Sequence, residues 1–252
     1  MNAIIIAAGS GKRISNDVKN TPKSLVKINE KAIIEYQLST LKQAGIEKIF
    51  VITGPNSEKF HLEDVTYVRD QNYIEHDILG SLMEAKNFIK NDVLILYSDI
   101  IFEFKILQQI LESKKDISIA IDMDWEEMYV GRTEHPIAEA ENVQLNNKNQ
   151  IIKIQKNIVN QNEDVGEFLG ILKLSSKGSE IFVKKFNELI ENHTGQFHQA
   201  PSLLKAYITD MIQELVDLNI DVEPILISGK WCEIDTMQDL KNAEKMFPNH
   251  VC

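Results

Sequence analysis

The sequence has 252 residues, 43% hydrophobic and 26% charged, a balance that supplies a buried core and excludes disorder and collagen-like repetition. At about 150 residues per domain, the length suits one compact domain, 1–252, carrying an elaboration. The formal net charge of −11 excludes a nucleic-acid polymer held by a general basic field, although a local basic patch can still take a small anion.

Strand-length apolar runs alternate with helix-period segments through the first half, which predicts a three-layer α/β/α arrangement around a mainly parallel sheet. Predicted strands are Asn2 to Ala7, Lys48 to Thr53, Thr66 to Arg69, Val93 to Tyr97 and Ile117 to Ile121. Their intervening helices are Lys31 to Ala44, which stops at a left-handed Gly45, then Leu79 to Lys90 and Phe104 to Ser113. From Asp122 the rhythm changes. Val143 to Leu145 and Ile151 to Gln155 flank the polar turn Asn146-Asn147-Lys148-Asn149 and read as an antiparallel hairpin. We take 122–170 as a small antiparallel insertion within the domain. Glu167 to Leu174 returns to the sheet, and helices follow at Lys177 to Glu191 and Pro201 to Leu218. Strands at Val222 to Ile227 and Trp231 to Ile234 precede a helix from Met237 to Phe247, where Thr236 and Asp239 stand at capping-box spacing.

The longest apolar runs, such as Ala3 to Ala8, fall far short of the roughly 20 residues that cross a bilayer, and no basic region precedes the first of them. That points to the cytoplasm. Cys232 and Cys252 offer neither metal-ligand spacing nor a disulfide framework. The six histidines show no HExxH spacing, no GxSxG elbow is present, and His135 before Pro136 is read as shaping a turn.

The most informative segment is Ala7-Ala8-Gly9-Ser10-Gly11-Lys12-Arg13, directly after the first predicted strand. Open parallel sheets bind ligands beyond their carboxyl ends, and glycines there let backbone N–H groups approach phosphate oxygens. Lys12, Arg13, Lys19, Lys23 and Lys27 face only Asp17 and Glu30 over the first 30 residues, so an acidic chain has placed a basic island here. A P-loop is excluded by Ile6 and Arg13, and a dinucleotide fingerprint by Ile14. A plain glycine turn with solvated lysines remains the alternative.

Asn20-Thr21-Pro22-Lys23-Ser24-Leu25, together with that loop, resembles the signature of the GT-A-like nucleotidyltransferases, which couple nucleoside triphosphates to phosphorylated sugars and alcohols. The similarity extends over essentially the whole chain and is greatest to the CTP-dependent group. The resemblance implies that Arg13 and Lys23 contact the triphosphate and the attacking phosphate, while Ala7 to Gly11 hold base and ribose. Asp99, after the apolar strand in Tyr97-Ser98-Asp99, takes the place of a magnesium-binding carboxylate. Gly229-Lys230-Trp231-Cys232-Glu233-Ile234-Asp235-Thr236 resembles the C-terminal metal motif of cytidylyltransferases acting on phosphocholine and 2-aminoethylphosphonate, with Asp235 as second ligand and Glu233 nearby. Capping of the following helix is the competing role for Asp235. Mg2+ suits such a pair, because it prefers oxygen ligands and keeps several waters.

Gly80 and Ser81 lie where the family carries its nucleobase-facing helix start. The stretch Tyr129 to Pro136, with Lys153 to Lys156 and Gly166 to Phe168, is similar to the acceptor-binding insertion. Arg132 and Lys156 are candidates for the acceptor's phosphate or phosphonate. Glu167, Tyr129 and Trp231 are candidates for a nitrogen-bearing end. The implied reaction is attack of the acceptor's anionic oxygen on the α-phosphorus of CTP, with pyrophosphate leaving. Phosphocholine, 2-aminoethylphosphonate and phosphoglutamine are acceptors of the right kind, in phosphonate, phosphocholine or surface-polysaccharide chemistry; a homodimer is compatible with the reading. Three rivals stay open: UTP or dTTP with a sugar 1-phosphate, a nucleotide-binding domain without turnover, and a glycosyltransferase using Asp122-Met123-Asp124 as a DxD motif.

Overall fold

The computed structural model describes residues 1–9, 21–158 and 164–248. Along the chain, β1 (Asn2–Ala7) is followed by the short hairpin β2 (Lys27–Ile28) and β3 (Lys31–Ala32), then α1 (Ile33–Gln43), β4 (Lys48–Thr53) and β5 (Val65–Arg69). Next come α2 (Ile78–Glu84), β6 (Val93–Tyr97), β7 (Ile100–Phe102), α3 (Phe104–Glu112), β8 (Ile117–Asp122) and the single turn α4 (Glu126–Tyr129). The antiparallel strands β9 (Glu141–Leu145), β10 (Ile151–Lys156) and β11 (Asp164–Leu174) lead to α5 (Ser176–Asn192), α6 (Ile208–Asp217), β12 (Glu223–Leu226), β13 (Trp231–Glu233) and α7 (Met237–Met246).

Among the described residues, nine strands form the main sheet, in the path β10-β9-β11-β6-β1-β4-β5 with β8 and β12 branching from β11. β1 runs parallel to both β4 and β6 at the centre. Its residues are apolar in succession rather than alternating, because both faces are covered. Ile4 and Ile6 face a core with Leu79, Leu82, Phe182 and Met211, while Ala3 and Ile5 face one with Ile34, Leu38, Leu41 and Leu107. Helices therefore sandwich the sheet, as the alternating pattern predicts. No helix among the described residues is long and apolar enough to cross a membrane.

The hairpin predicted around Asn146 is present, with Asn146 Oδ1 accepting from the backbone of Lys148 and Gln150 and Asn149 left-handed at φ 56°. Its strands join the edge of the main sheet through β9 and β11. Along one edge of β11, Asp164 to Glu167 pair with β9, whereas Ile171 to Leu174 pair with β6. Gly170 sits at the handover with φ +78°, and a side chain there would strike the Tyr97 ring.

Two predicted helices are shorter than their periodicity suggests. The segment from Leu79 ends its α-helix at Glu84 and continues as a 3-10 turn over Lys86–Phe88, where Phe88 stacks on Phe50 with centroids 4.1 Å apart. The segment from Pro201 splits into a 3-10 turn at Leu203–Lys205 and α6. Between them the backbone opens so that Leu204 and Ala206 accept hydrogen bonds from Asp77 and Leu79. Tertiary pairing outweighs local helix propensity there.

Candidate active site

The carboxyl ends of the central strands open into a cleft of about 440 Å3. Gly9 enters it from the end of β1, Asp99 from the β6–β7 turn, and Asp235 from the segment after β13. Each is fixed from behind. Gln37 of α1, 1% exposed, donates from Nε2 to the carbonyls of Tyr97 and Ile100, which clamps the turn carrying Asp99. β13 pairs with β7, and the Ile234 amide donates to the Asp99 carbonyl, so the two acidic segments are tied by backbone. α7 begins in the predicted capping box: Thr236 Oγ1 accepts from Asp239 N, while Asp239 Oδ2 accepts from the Thr236 and Asp235 amides.

Lys23 stands between the carboxylates. Its Nζ donates to Asp99 Oδ2 and to Asp235 Oδ1, each at 2.6 Å. Pro22 precedes the 3-10 turn Lys23–Leu25 that carries it. Burial works against the ammonium, but Asp99, Asp235 and Glu233 outweigh that and hold its pKa above the ordinary lysine value. Three residues far apart in sequence thus converge, as the motifs imply. Helix capping, the competing role for Asp235, belongs instead to Thr236 and Asp239.

The remaining candidates divide. Lys156 lines the cleft, with Nζ 3.0 Å from Glu139 and 4.3 Å from the centroid of the Tyr207 ring. Glu167 and Trp231 also line it. Glu167 Oε1 accepts from Tyr129 at 2.8 Å, while Oε2 is buried without a hydrogen-bond partner among the described residues. Burial pushes the Glu167 carboxyl up to about 8. Tyr129 itself stands behind Glu167 and is absent from the cleft lining.

Arg132 does not reach the cleft. Its guanidinium forks onto Asp239, Nε to Oδ1 at 2.6 Å and Nη2 to Oδ2 at 3.1 Å, and contacts Glu233 at 3.3 Å. Its side chain is 7% exposed and that of Asp239 3%, so the pair is a buried brace behind the acidic segment. Gly80 and Ser81 are likewise engaged elsewhere. A side chain on Gly80 would be driven into the Leu204 carbonyl, and Ser81 Oγ donates to the fully buried Asp70. Their neighbours Asp77 and Ile78 are the residues of that helix start facing the cleft. The DxD reading also fails locally: Asp122 accepts from the Trp231 indole at 2.7 Å and from the Asp124 amide, and neither acid lines the cleft. Ala7 and Ala8 are buried at the end of β1, whereas Ser10, Gly11, Lys12 and Arg13 lie outside the described residues.

Sequence reasoning missed His135, Glu139, Glu141 and Tyr207, all of which line the cleft. Glu141 accepts from Thr209 at 2.8 Å and Tyr97 at 3.3 Å, and burial pushes it up to about 7. His135, read as a turn former, is 4% exposed with Nδ1 3.2 Å from Asp235 Oδ2. The run Ala138-Glu139-Ala140-Glu141 following His135-Pro136 was the available signal.

A divalent cation suits this donor set. Asp99 Oδ1 is buried without a hydrogen-bond partner among the described residues, and the Lys23 ammonium between Asp99 and Asp235 shows that the pair accommodates a cation.

A model of the MobA-like NTP transferase domain matches residues 3–171. The chain belongs to this nucleotidyltransferase family. It is 29% identical to a CTP:phosphoglutamine cytidylyltransferase of Campylobacter jejuni, covering 96% of this chain and 98% of that protein. A choline-phosphate cytidylyltransferase of Streptococcus pneumoniae is 37% identical over 41% of this chain and 47% of its own. The chain spans only 55% of the length of bifunctional relatives from Methanococcus. The solved structure of an inositol-1-phosphate CTP transferase from T. maritima superimposes with a TM-score of 0.72, at 18% identity and covering 100% and 98% of the two chains. In this nucleotidyltransferase Lys23, Asp99 and Asp235 meet in the cleft at the carboxyl ends of the central strands.

Proposed function

We propose that this nucleotidyltransferase uses CTP and transfers CMP to a small acceptor that carries a phosphate or phosphonate at one end and nitrogen at the other. The observation that carries the reading is Lys23 held between Asp99 and Asp235 at the carboxyl ends of the sheet. CTP is favoured by the cytidylyltransferases among its relatives. The acceptor's character is favoured by the cleft lining, where, among the described residues, Glu139, Glu141 and Glu167 stand with Phe168, Tyr207 and Lys156. Such a wall suits an ammonium or amide and opposes a second anionic group.

Transfer of this kind needs alignment and charge neutralisation more than proton transfer, because the acceptor oxygen is already anionic. Lys23 is preorganised by two carboxylates and supplies a fixed positive charge at the reacting phosphates. Asp99 and Asp235 would hold Mg2+, which neutralises phosphate charge when bound. Lys156, braced by Glu139 and Tyr207, orients the acceptor. Arg13 also contacts the triphosphate, by resemblance, and Lys12 of the same glycine-rich segment adds positive charge.

The test is pyrophosphate release with Mg2+ across the four common nucleoside triphosphates and a panel containing phosphocholine, 2-aminoethylphosphonate, phosphoglutamine and sugar 1-phosphates. Turnover with CTP and a nitrogen-bearing acceptor is expected. Activity confined to UTP or dTTP with a sugar phosphate overturns the proposal, and no turnover with any pair favours a binding domain.

A further inference from the structure

The segment that brings Asp77 and Ile78 to the cleft has little apolar burial to hold it. Residues 71–75 are all exposed, Ile74 by 69%, and His76 is the one buried side chain of 71–77. Its place is set by Asp70, the residue after β5. The fully buried Asp70 carboxylate meets three partners: the Asn72 amide at 2.9 Å on Oδ1, Ser81 Oγ at 2.7 Å on Oδ2, and His76 Nδ1 at 3.1 Å from both oxygens. We infer that Asp70 is a positioning residue for the nucleotide: through Asn72, His76 and Ser81 it fixes the chain at Asp77 and Ile78, without itself lining the cleft.

The cost of Asp70 argues for such a role. A buried carboxylate is expensive unless it is paired or hydrogen-bonded, and among the described residues no lysine or arginine pairs with it. Glu84, 3.9 Å from His76, adds only a further acid. Because an ionised carboxylate only accepts, His76 presents its Nδ1 proton to Asp70. Apolar packing would serve stability alone; the carboxylate adds direction, because its donors come from the entry of the loop, from its exit and from inside α2. A fully satisfied buried network of this kind rigidifies the chain around it.

The anchor is tied to the sheet and clasped from outside. The Asp70 amide donates to the Thr53 carbonyl at the end of β4, at 2.8 Å. Lys205 Nζ donates to the Ile74 carbonyl at 2.5 Å, and the Asp77 and Leu79 amides donate to the Leu204 and Ala206 carbonyls, each at 2.9 Å. Gly80 permits this approach: a Cβ there would strike the Leu204 carbonyl and lie 2.9 Å from His76 Cγ.

Topology assigns the anchored residues to the nucleotide. The loop leaves β5, at the opposite end of the sheet path from β10 and β9. Glu139, Glu141, Lys156 and Glu167 enter the cleft from that other end, within the insertion, whereas Gly9 enters from β1, beside β4.

This role presupposes a nucleotide in the cleft, as proposed for the chain, and the parent protein separates the two. Asp70→Asn keeps the size of the side chain but turns an amide nitrogen toward at least one donor. In the free variant, hydrogen exchange at the Asn72, Asp77 and Leu79 amides should quicken about tenfold or more, with β1 and β6 unchanged. Calorimetric titration with CTP and Mg2+, without acceptor, should show Kd raised about tenfold. In turnover, CTP KM should rise alike while kcat and acceptor KM stay within about threefold. Ser81→Ala, which removes one donor, should move the same quantities about threefold and keeps the test decisive if Asp70→Asn does not fold. CTP affinity within about twofold of the parent in the folded variants, unchanged exchange at those amides, or equal losses toward CTP and acceptor with exchange raised throughout the chain overturns the role. Absence of CTP binding in the parent overturns the proposed activity and this role with it.

Discussion

Arg132→Met separates a brace from a ligand. Methionine keeps much of the apolar stem while removing the guanidinium, which forks onto Asp239 at 2.6 and 3.1 Å and reaches Glu233 at 3.3 Å. Breaking one side of a buried ion pair costs about 3–5 kcal/mol, because the remaining charge is stranded. Asp239 would keep its contacts with the Asp235 and Thr236 amides and Thr236 Oγ1, so the lower end, about 3 kcal/mol, is the expected loss. For a domain of this size that lowers Tm by about 6–12 °C. Urea unfolding followed by circular dichroism gives the energy, and steady-state turnover with the acceptor found in the pyrophosphate assay gives the function. Acceptor KM should change less than about threefold, since no Arg132 atom meets the cleft. A double-mutant cycle with Asp239→Asn should be strongly non-additive. Stability within about 1 kcal/mol of the parent, together with a roughly tenfold rise in acceptor KM, would refute this reasoning and return Arg132 to the acceptor.

Two further outcomes follow from the cleft. Lys23→Ala should lower turnover roughly a hundredfold or more, as expected for loss of a preorganised charge; near-parental turnover with intact folding removes Lys23 from the chemistry. The free protein should lose stability as pH rises. Glu141 and Glu167 are held up to about 7 and about 8 from an ordinary 4.5, so between 4.5 and those values the folded state binds more protons than the unfolded chain. By linkage, unfolding free energy falls through that window and levels above about pH 8. Urea titrations at pH 5 to 9 read the slope, and Glu167→Gln should flatten its upper part. An unchanged slope in that variant counts against Glu167 as its source.

The central sheet was legible because β1, β4 and β6 are buried on both faces and therefore read as unbroken apolar runs. β7 was missed because Ile100–Phe102 is only three residues long and is defined by pairing with β13, a long-range event without local periodicity. Asp99 was legible as an acid at the end of an apolar strand, where packing gives it no purpose, whereas Lys23 and Asp235 were legible through the family resemblance of Asn20 to Leu25 and Gly229 to Thr236. Arg132 misled for the opposite reason. An arginine advertises anion binding without revealing which anion, and its partner, Asp239, already had a visible task in the helix cap. His135 was hidden because one histidine beside a proline says nothing about the carboxylates that the fold brings to it.

The handover along β11 separates two obligations of the enzyme. Residues before Gly170 pair with the hairpin strand β9 and carry Glu167 and Phe168, while those after it pair with β6, whose turn delivers Asp99. One strand therefore contributes to the cleft wall before Gly170 and borders the strand leading to Asp99 after it, with β8 pairing on both sides of the glycine.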